Sequence, residues 1–279
     1  MQRSITRKSI NDYKQYLLMA EKAHATITKY INEVERLSEY LEHNALNKCA
    51  LLEYRETLAE NFSSRTVNTK LAAINGYLSF IGADEYKVHL LKVQRKAFIA
   101  ENRELSAAEY KRLVNAADAS GNDRLSLVMQ TICATGIRIS ELSYITVDAV
   151  KERRMEIRLK GKSRTVIIPS KLCKKLVEYA RRQRIDTGAV FRTKGGKPLD
   201  RANVCHDMKR LCDAAHVERS KVFPHNLRHL FARAFYSIEK NLSHLADVLG
   251  HSSIETTRIY VAASSRQYER MLDKMKLIT

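Results

Sequence analysis

Apolar residues recur every three or four positions through the first third of the chain. One series spans 27–41 and a second spans 67–81. This spacing places the apolar side chains on one face of a helix. A shorter helix is suggested over 50–59, and Gly82 follows the second series as a typical helix stop. The pattern predicts a small helical domain over residues 8–88.

A basic segment separates this domain from the rest of the chain. Residues 89–104 carry several Lys and Arg residues and show no clear amphipathic pattern, which is typical of a linker. Ser106 and Glu109 follow at the spacing of a capping box, in which the two side chains satisfy backbone groups at a helix start. A second domain is therefore predicted over 105–279.

The periodicity changes inside the second domain. Residues 155–159 alternate between apolar and polar, and 165–169 is β-branched and apolar. A turn over 160–163 between them predicts a β-hairpin, and 189–191 suggests a further short strand. Most of the remaining pattern is helical. The predicted fold class is mainly α, with a small antiparallel β-sheet in the second domain.

The chain carries a large excess of positive charge. Its 49 Lys and Arg residues outnumber 31 Asp and Glu residues, which gives a formal net charge of +18. Such an excess favours a polyanionic partner, because each phosphate that a cation neutralises releases condensed counterions. A nucleic acid is the expected partner, although a basic, well-solvated surface would give the same composition.

The five cysteines are widely spaced and form no CxxC pair, which argues against a disulfide framework or a common zinc ribbon. Cys205, His206, Cys212 and His216 lack the usual spacing of zinc ligands, so no metal is expected. The N-terminus is too polar for a signal peptide, and no apolar run reaches the length of a membrane span. These features favour a cytoplasmic protein that does not contact a membrane.

Three short segments carry residue types suited to phosphate chemistry. The first, Thr135-Gly-Ile-Arg138, is a glycine turn that leads into a helix with Arg138 in its first turn. Backbone N–H groups at a helix start favour an anion, and a guanidinium beside them can hold two phosphate oxygens. Ser140 and Glu141 are interpreted as helix-forming and as orienting the arginine. Taken alone, such an arginine is more often a surface or ion-paired residue.

The second segment is Pro224-His-Asn-Leu-Arg-His229, and its proline suits the start of a helix. His225 and Arg228 are three residues apart and then share a helix face. That face offers a second guanidinium and a group that exchanges protons near neutral pH. His229 is expected to point elsewhere and to be structural.

The third segment contains Gly250, His251 and Tyr260. Gly250 is expected to end one helix, and a capping box of Ser252 and Glu255 to begin the next, which places His251 just outside a helix start. Tyr260 follows His251 by nine residues. By itself, a tyrosine at this point would be interpreted as ordinary packing.

Together and in this order, the three segments resemble the active-site signature of the tyrosine site-specific recombinases of the phage-integrase type. The motifs cover residues 105–265, and the helical N-terminal region looks like the core-binding domain of that family. The resemblance implies a two-domain DNA clamp, in which a helical core-binding domain and a catalytic domain enclose duplex DNA.

The resemblance also implies the chemistry. Tyr260 would attack a scissile phosphodiester to form a 3′-phosphotyrosine link and release a 5′-hydroxyl, without a metal or other cofactor. Arg138 and Arg228 would hold the non-bridging oxygens. His225 would act as a general base or acid, and His251 would donate to a phosphate oxygen.

The family also uses a lysine of a β-hairpin as the general acid toward the leaving 5′-oxygen. Lys160, which precedes Gly161, stands at the expected place. Lys162 lies two residues further on the same turn and stays an alternative, because the segment up to Pro169 is about one residue longer than the family pattern.

For partners, the resemblance implies a specific recombination site in double-stranded DNA and a homotetramer on that DNA. It leaves room for a monomer off DNA and for accessory proteins. The expected location is the cytoplasm of a bacterial-type cell, at the nucleoid. An apolar stripe from Tyr268 to Leu277 would pack either on a neighbouring subunit or on its own domain.

The implied role is integration, excision, inversion or resolution, and two other interpretations compete with it. One is a type IB topoisomerase-like enzyme that relaxes DNA, which the helical N-terminal domain and the compact 249–260 segment disfavour. The other is an architectural DNA-binding protein without catalysis, which the complete set of motif residues disfavours.

Overall fold

The computed structural model describes residues 4–42, 45–93, 104–159, 162–193, 195–251, 253–261 and 273–274, with the backbone alone at Leu159, Lys162, Tyr260 and Val261. The chain divides into two compact units, Met1–Arg95 and Lys96–Thr279. The boundaries predicted at residues 88 and 105 flank this division.

The described part of the N-terminal unit contains four α-helices: α1 (Arg7–Met19), α2 (His24–Leu41), α3 (Lys48–Asn61) and α4 (Ser64–Phe80). Three of them begin at a side-chain cap, because Thr6, Asn47 and Ser63 accept hydrogen bonds from backbone N–H groups of the first turn. The predicted apolar series lie on α2 and α4. Their buried residues, such as Leu37 and Leu78 (both 0% exposed), form the core.

A buried ion pair joins α2 to α4 within this core. Lys70 Nζ donates to both carboxylate oxygens of Glu33, at 2.7 and 2.9 Å. The two side chains are 8% and 7% exposed. Lys70 Nζ also lies 4.9 Å from the centre of the Phe62 ring. The Lys70 charge is therefore removed from water and depends on Glu33, whose Oε1 also accepts from the exposed Arg36 Nη1 at 3.1 Å.

Two asparagines of α4 hold the extended segment that follows a 3-10 turn at Asp84–Tyr86. The Asn75 side chain donates to the carbonyl of Val88 at 2.9 Å and accepts from its N–H at 3.2 Å. The Asn68 side chain makes the same pair of bonds with Leu91, at 2.8 and 2.7 Å. The backbone N–H and carbonyl groups of Val88 and Leu91 are thus satisfied without a neighbouring strand.

The C-terminal unit is also mainly helical in its described part. Its elements are α5 (Ala107–Ala119), α6 (Asp123–Thr135), α7 (Val147–Glu152), β1 (Arg154–Leu159), β2 (Lys162–Ile167), α8 (Ser170–Arg182), α9 (Arg201–Arg210), α10 (Cys212–Ala215), α11 (Pro224–Glu239), α12 (Leu242–Leu249) and α13 (Ile254–Val261). Helix α6 packs against α5, α8 and α11, and its Met129 and Ile132 are fully buried. The predicted capping box of Ser106 and Glu109 is present at the start of α5.

The predicted hairpin is confirmed as the antiparallel pair β1–β2, in which Ile157 lies opposite Arg164. The pairing continues to Leu159 and Lys162, so the prediction of a four-residue turn is wrong. Only residues 160–161 connect the strands, a length whose favoured turns match the twist of paired strands. The fold class, mainly α with a small antiparallel sheet, is confirmed.

The predicted strand at 189–191 is reduced to a single bridge between Ala189 and Thr146. Other predicted features lie outside the described residues, namely Lys160, Gly161, Ser252 and the apolar stripe from Tyr268 to Leu277. Within the ranges given above, no helix is both long enough and apolar enough to cross a membrane.

We expect Lys70→Met to lower the free energy of unfolding by about 3 kcal/mol, because it leaves the Glu33 carboxylate buried without its main partner. Urea unfolding followed by circular dichroism measures this. The double variant Glu33→Leu, Lys70→Met removes both charges and should recover most of the loss. The control Lys87→Met breaks only an exposed pair with Asp84 and should change stability by less than about 1 kcal/mol. Equal losses in the single and double variants would show that the loss does not come from a carboxylate left buried without its partner.

Candidate active site

The turn after α6 determines where Arg138 lies. Gly136 ends the helix in the left-handed conformation, with φ at 65°, which glycine adopts at little cost. A Cβ at this position would lie 2.4 Å from the Phe231 ring of α11, so glycine also permits the close approach of the two helices. Arg138 caps a 3-10 helix (Ile139–Tyr144). The prediction that it lies in the first turn of an α-helix is therefore wrong.

Glu141 is fully buried and orders two arginines. One of its oxygens accepts from the backbone N–H of Arg138 at 2.7 Å and from Arg164 Nη2 at 2.7 Å. The other accepts from Nη1 of Arg138 at 3.0 Å and of Arg164 at 3.1 Å. Burial raises the pKa of the carboxyl, but the hydrogen bonds from the arginines lower it more, so its pKa lies below the usual value. The ionised carboxylate agrees with the interpretation of Glu141 as a residue that orients Arg138.

Arg228 lies on α11 and is 1% exposed. Its Nη1 donates to the carbonyl of Gly136, and its Nη2 donates to the carbonyl of Leu249 at 2.7 Å. These carbonyls belong to the ends of α6 and α12, where helix carbonyls lack intrahelical partners and carry partial negative charge. Arg228 therefore ties the turn that leads to Arg138 to the turn that leads to His251.

The contacts of His251 define its tautomer. Arg228 Nη2 lies 2.9 Å from His251 Nε2, and Thr257 Oγ1 lies 2.8 Å from His251 Nδ1. Because a guanidinium only donates, Nε2 accepts, and the ring proton resides on Nδ1 and is donated to Thr257. Partial burial and then the charges of Arg228 and Arg138 lower the pKa of His251 to about 4. The ring is neutral at physiological pH.

His225 and His229 contact each other edge to face on α11. Their ring centres are 4.7 Å apart and the ring planes meet at 79°. The prediction that His229 points elsewhere is wrong, because residues four apart are neighbours on a helix face. Partial burial and the charge of Arg228 lower the pKa of His225. Burial and the proximity of His225 lower the pKa of His229 to about 3. A neutral His225 can accept a proton.

The structure brings four of the six predicted site residues into one electrostatic environment. The charges of both Arg138 and Arg228 lower the pKa values of His225 and His251. These residues come from the 3-10 turn after α6, from α11 and from the turn after α12. The cluster therefore combines two guanidinium cations with two imidazole rings whose pKa values are lowered.

The other two predicted site residues are placed less completely. Tyr260 lies in the last turn of α13, three residues after Thr257, which bonds to His251, and its side chain is outside the described residues. Lys160 lies between β1 and β2 in the sequence and is also outside the described residues. Lys162 begins β2 and is described by its backbone alone.

Sequence reasoning missed Arg164 and Thr257. Arg164 lies two and four residues before Val166 and Ile168, a spacing that places all three on one face of an extended strand, and the two apolar residues are 4% and 0% exposed. A charged residue in a buried alternating series requires a partner, so this position carried a detectable signal. Thr257 gave no such signal, because nothing in the local sequence indicates its contact with His251.

We expect the ring of His251 to remain neutral down to about pH 4 in the folded chain. Because this pKa lies below the unfolded value of about 6.5, the neutral ring stabilises the fold above pH 6.5, and the stabilisation is lost as the pH falls toward 4. NMR titration of the ring signals, assigned with His251→Gln, measures the midpoint. Arg138→Met should raise the midpoint, because it removes a nearby cation. A wild-type midpoint at or above that of free histidine would show that the surrounding cations do not act on this ring.

Family models match both parts of the chain. Residues 103–267 match the phage integrase family, and residues 10–85 match the N-terminal SAM-like domain of phage integrases. The tyrosine recombinase XerA of Thermococcus kodakarensis is 30% identical over 96% of this chain and 95% of its own length. The tyrosine recombinase XerH of Campylobacter jejuni is 28% identical over 97% of this chain and 83% of its own length.

Solved structures share the fold. XerH bound to a palindromic difH substrate has a TM-score of 0.70 at 21% identity, over 88% of this chain and 78% of that chain. A lambda integrase dimer bound to a COC′ core site has a TM-score of 0.73 at 16% identity, over 93% of this chain and 78% of that chain. Since the family match spans more than half of the sequence, the chain belongs to the phage integrase family of tyrosine recombinases.

Proposed function

We propose that the chain cleaves and rejoins DNA at a specific site through a 3′-phosphotyrosine intermediate on Tyr260. Membership of the family makes it an enzyme that breaks and rejoins DNA strands. The observation that supports the site assignment most strongly is the position of Arg228. Its guanidinium bonds to the turn before Arg138 and to the turn before His251, so three motifs far apart in sequence converge.

The phosphate would be bound by two arginines with different freedom. The Arg138 side chain is 40% exposed, so it can contact a non-bridging oxygen while Glu141 holds it. Arg228 is fixed by backbone carbonyls and brings its charge to the pocket without reorganisation. Preorganised cations of this kind stabilise the charge that develops on a pentacoordinate phosphorus.

In the cleavage step, Tyr260 Oη forms a bond to phosphorus as the bond from phosphorus to the 5′-oxygen breaks. The tyrosine proton passes to the neutral ring of His225, and the leaving 5′-oxygen takes a proton from Lys160. A free tyrosine has a pKa near ~10, so removal of its proton during attack is needed at neutral pH. Attack by the 5′-hydroxyl of a partner strand reverses these steps and restores Tyr260.

The role proposed for His251 requires a different tautomer from the one that its contacts favour. Its Nε2 accepts from Arg228, and its proton is on Nδ1. To donate to a phosphate oxygen, the ring must carry the proton on Nε2. A phosphate that draws the Arg228 Nη2 hydrogen bond away would free Nε2. The ring would then release its Nδ1 proton to solvent and take a solvent proton on Nε2, and the Thr257 hydroxyl would reverse its bond and donate to Nδ1.

We also propose that four copies act on double-stranded DNA at a specific recombination site. A lambda integrase with the same fold was solved as a tetramer bound to a Holliday junction, with a TM-score of 0.70. The net charge of +18 supports a DNA partner. In this assembly residues 8–88 would be the core-binding domain and 105–279 the catalytic domain. We further propose that the chain acts at the nucleoid, in the cytoplasm of a bacterial-type cell, where its DNA substrate would lie.

We expect the wild-type chain to form a covalent band on nicked DNA from its own genomic neighbourhood, and Tyr260→Phe to form none, because phenylalanine lacks the attacking oxygen. Denaturing electrophoresis of the trapped product measures this. The matched control Tyr236→Phe, which removes a tyrosine hydroxyl elsewhere in the same unit, should leave the band unchanged. A band that persists in Tyr260→Phe would show that another residue is the nucleophile.

The two candidate lysines can be separated with a substrate whose 5′-bridging oxygen is replaced by sulfur, because a thiolate leaves without a proton. Lys160→Met should cleave the oxygen substrate about 100-fold more slowly, as expected for loss of a general acid. On the sulfur substrate, it should match the wild type. Lys162→Met should cleave both substrates normally. The reverse pattern would assign the general acid to Lys162.

A further inference from the structure

The side chain of Arg164 lies between two parts of the proposed active site. It is on β2, where it pairs across the hairpin with Ile157, and it is 14% exposed. Its Nη1 and Nη2 lie 3.1 and 2.7 Å from the two carboxylate oxygens of Glu141. This bidentate pair fixes the plane of the guanidinium. The proposed cleavage steps give this residue no role.

Glu141 shares its hydrogen bonds between Arg164 and Arg138, yet the two arginines differ in accessibility. The Arg138 side chain is 40% exposed and open to a phosphate, whereas Arg164 has both Nη atoms engaged with Glu141 and little exposed surface. Arg164 differs from Arg228 in its partner, because it makes a bidentate pair with a full carboxylate and not with backbone carbonyls. This pairing suits Arg164 to holding other groups in position.

Arg164 also packs against the turn that precedes His251. Gly250 is in the left-handed conformation, with φ at 64°. A Cβ on Gly250 would lie 2.6 Å from Arg164 Cδ and 2.9 Å from Arg164 Nη1, so only glycine leaves room for the arginine. Arg164 is thus held by hydrogen bonds from one direction and by close contact from another.

The strand pairing continues from Arg164 toward the turn that contains Lys160. The ladder continues from the pair of Ile157 and Arg164 to the pair of Leu159 and Lys162, and Lys160 comes directly after β1. Paired strands move together because the ladder hydrogen bonds set their register. An anchor at Arg164 therefore also holds the backbone of the last described pair of the ladder, Leu159 and Lys162, between which Lys160 lies in the sequence.

We propose that Arg164 is a positioning residue that, through Glu141, sets the place of the Lys160 hairpin relative to Arg138. The proposed general acid, Lys160, and the proposed phosphate-binding guanidinium, Arg138, would then keep fixed positions relative to each other. This inference rests on the proposed function, because it takes Lys160 as the group that protonates the leaving oxygen. Lysine at position 164 would keep the charge but could not make the bidentate pair.

The test compares single-turnover cleavage by Arg164→Lys and Arg164→Met on nicked substrates with oxygen or sulfur at the 5′-bridging position. Both variants should bind DNA within about twofold of the wild type. Cleavage of the oxygen substrate should be about 10- to 100-fold slower, as expected for a misplaced catalytic group. On the sulfur substrate, which needs no general acid, the rate should return to within about threefold of the wild type.

A matched control is available on the same hairpin. Arg158 lies on β1, is 78% exposed and pairs with Glu156 at the surface. Arg158→Met should cleave both substrates at the wild-type rate. Arg164→Lys keeps a cation beside Glu141, so a folded variant remains for the assay even where Arg164→Met unfolds. Thermal unfolding followed by circular dichroism identifies which variants are folded.

Normal cleavage of the oxygen substrate by Arg164→Lys would overturn the proposal. An equal loss on both substrates would also overturn it, because the effect would then lie in the phosphate-binding groups and not in the hairpin. Wild type and Tyr260→Phe in the same assay separate the two levels of inference. Without a Tyr260-dependent product in the wild type, the proposed function itself fails. With that product present but no substrate-selective loss in Arg164→Lys, only the positioning role fails.

Discussion

The rest of the site depends on the hydrogen bonds that the buried guanidinium of Arg228 makes to the ends of two helices and to His251. The described partners of this guanidinium are two helix-end carbonyls and a neutral imidazole, none of which carries a full negative charge. Helix carbonyls stabilise the cation by their partial charges without cancelling it. The interior of the unit thus retains positive charge at the point where three segments of the chain meet. In the proposed function, a phosphodiester would be stabilised by this charge.

The balance of charges around the site also determines the protonation states of Glu141, His225 and His251. Glu141 is the carboxylate bonded to Arg138 and Arg164, and its acceptor positions are filled by these two residues. Partial burial and then the charges of Arg228 and Arg138 lower the pKa values of His225 and His251, so both rings are held neutral. An anion bound among these cations would raise the pKa values of the rings, so proton uptake would then depend on occupation of the site.

Local patterns in the sequence predicted the helices, the hairpin and the capping box at Ser106, because each depends on residues a few positions apart. The motif order indicated which residues meet at the site. The contact of Arg164 with Glu141 joins positions 23 apart, and that of Arg228 with Gly136 joins positions 92 apart. Such contacts depend on how helices pack, which periodicity does not encode. The misplacement of His229 was different in kind, because helix geometry alone was sufficient to place it beside His225.

The asparagines of α4 show a match between two kinds of backbone. Asn68 and Asn75 are seven residues apart, which is roughly 10.5 Å along a helix. Their partners, Val88 and Leu91, are three residues apart, which is roughly 10 Å in an extended chain. The two repeat lengths coincide, so both amides engage at once, and the segment runs antiparallel to the helix. A one-residue insertion or deletion between Asn68 and Asn75, or between Val88 and Leu91, would allow only one of the two asparagine side chains to make its hydrogen bonds at a time. The spacing of these four residues is therefore a length constraint on the chain that holds even where the side chains between them are free to vary.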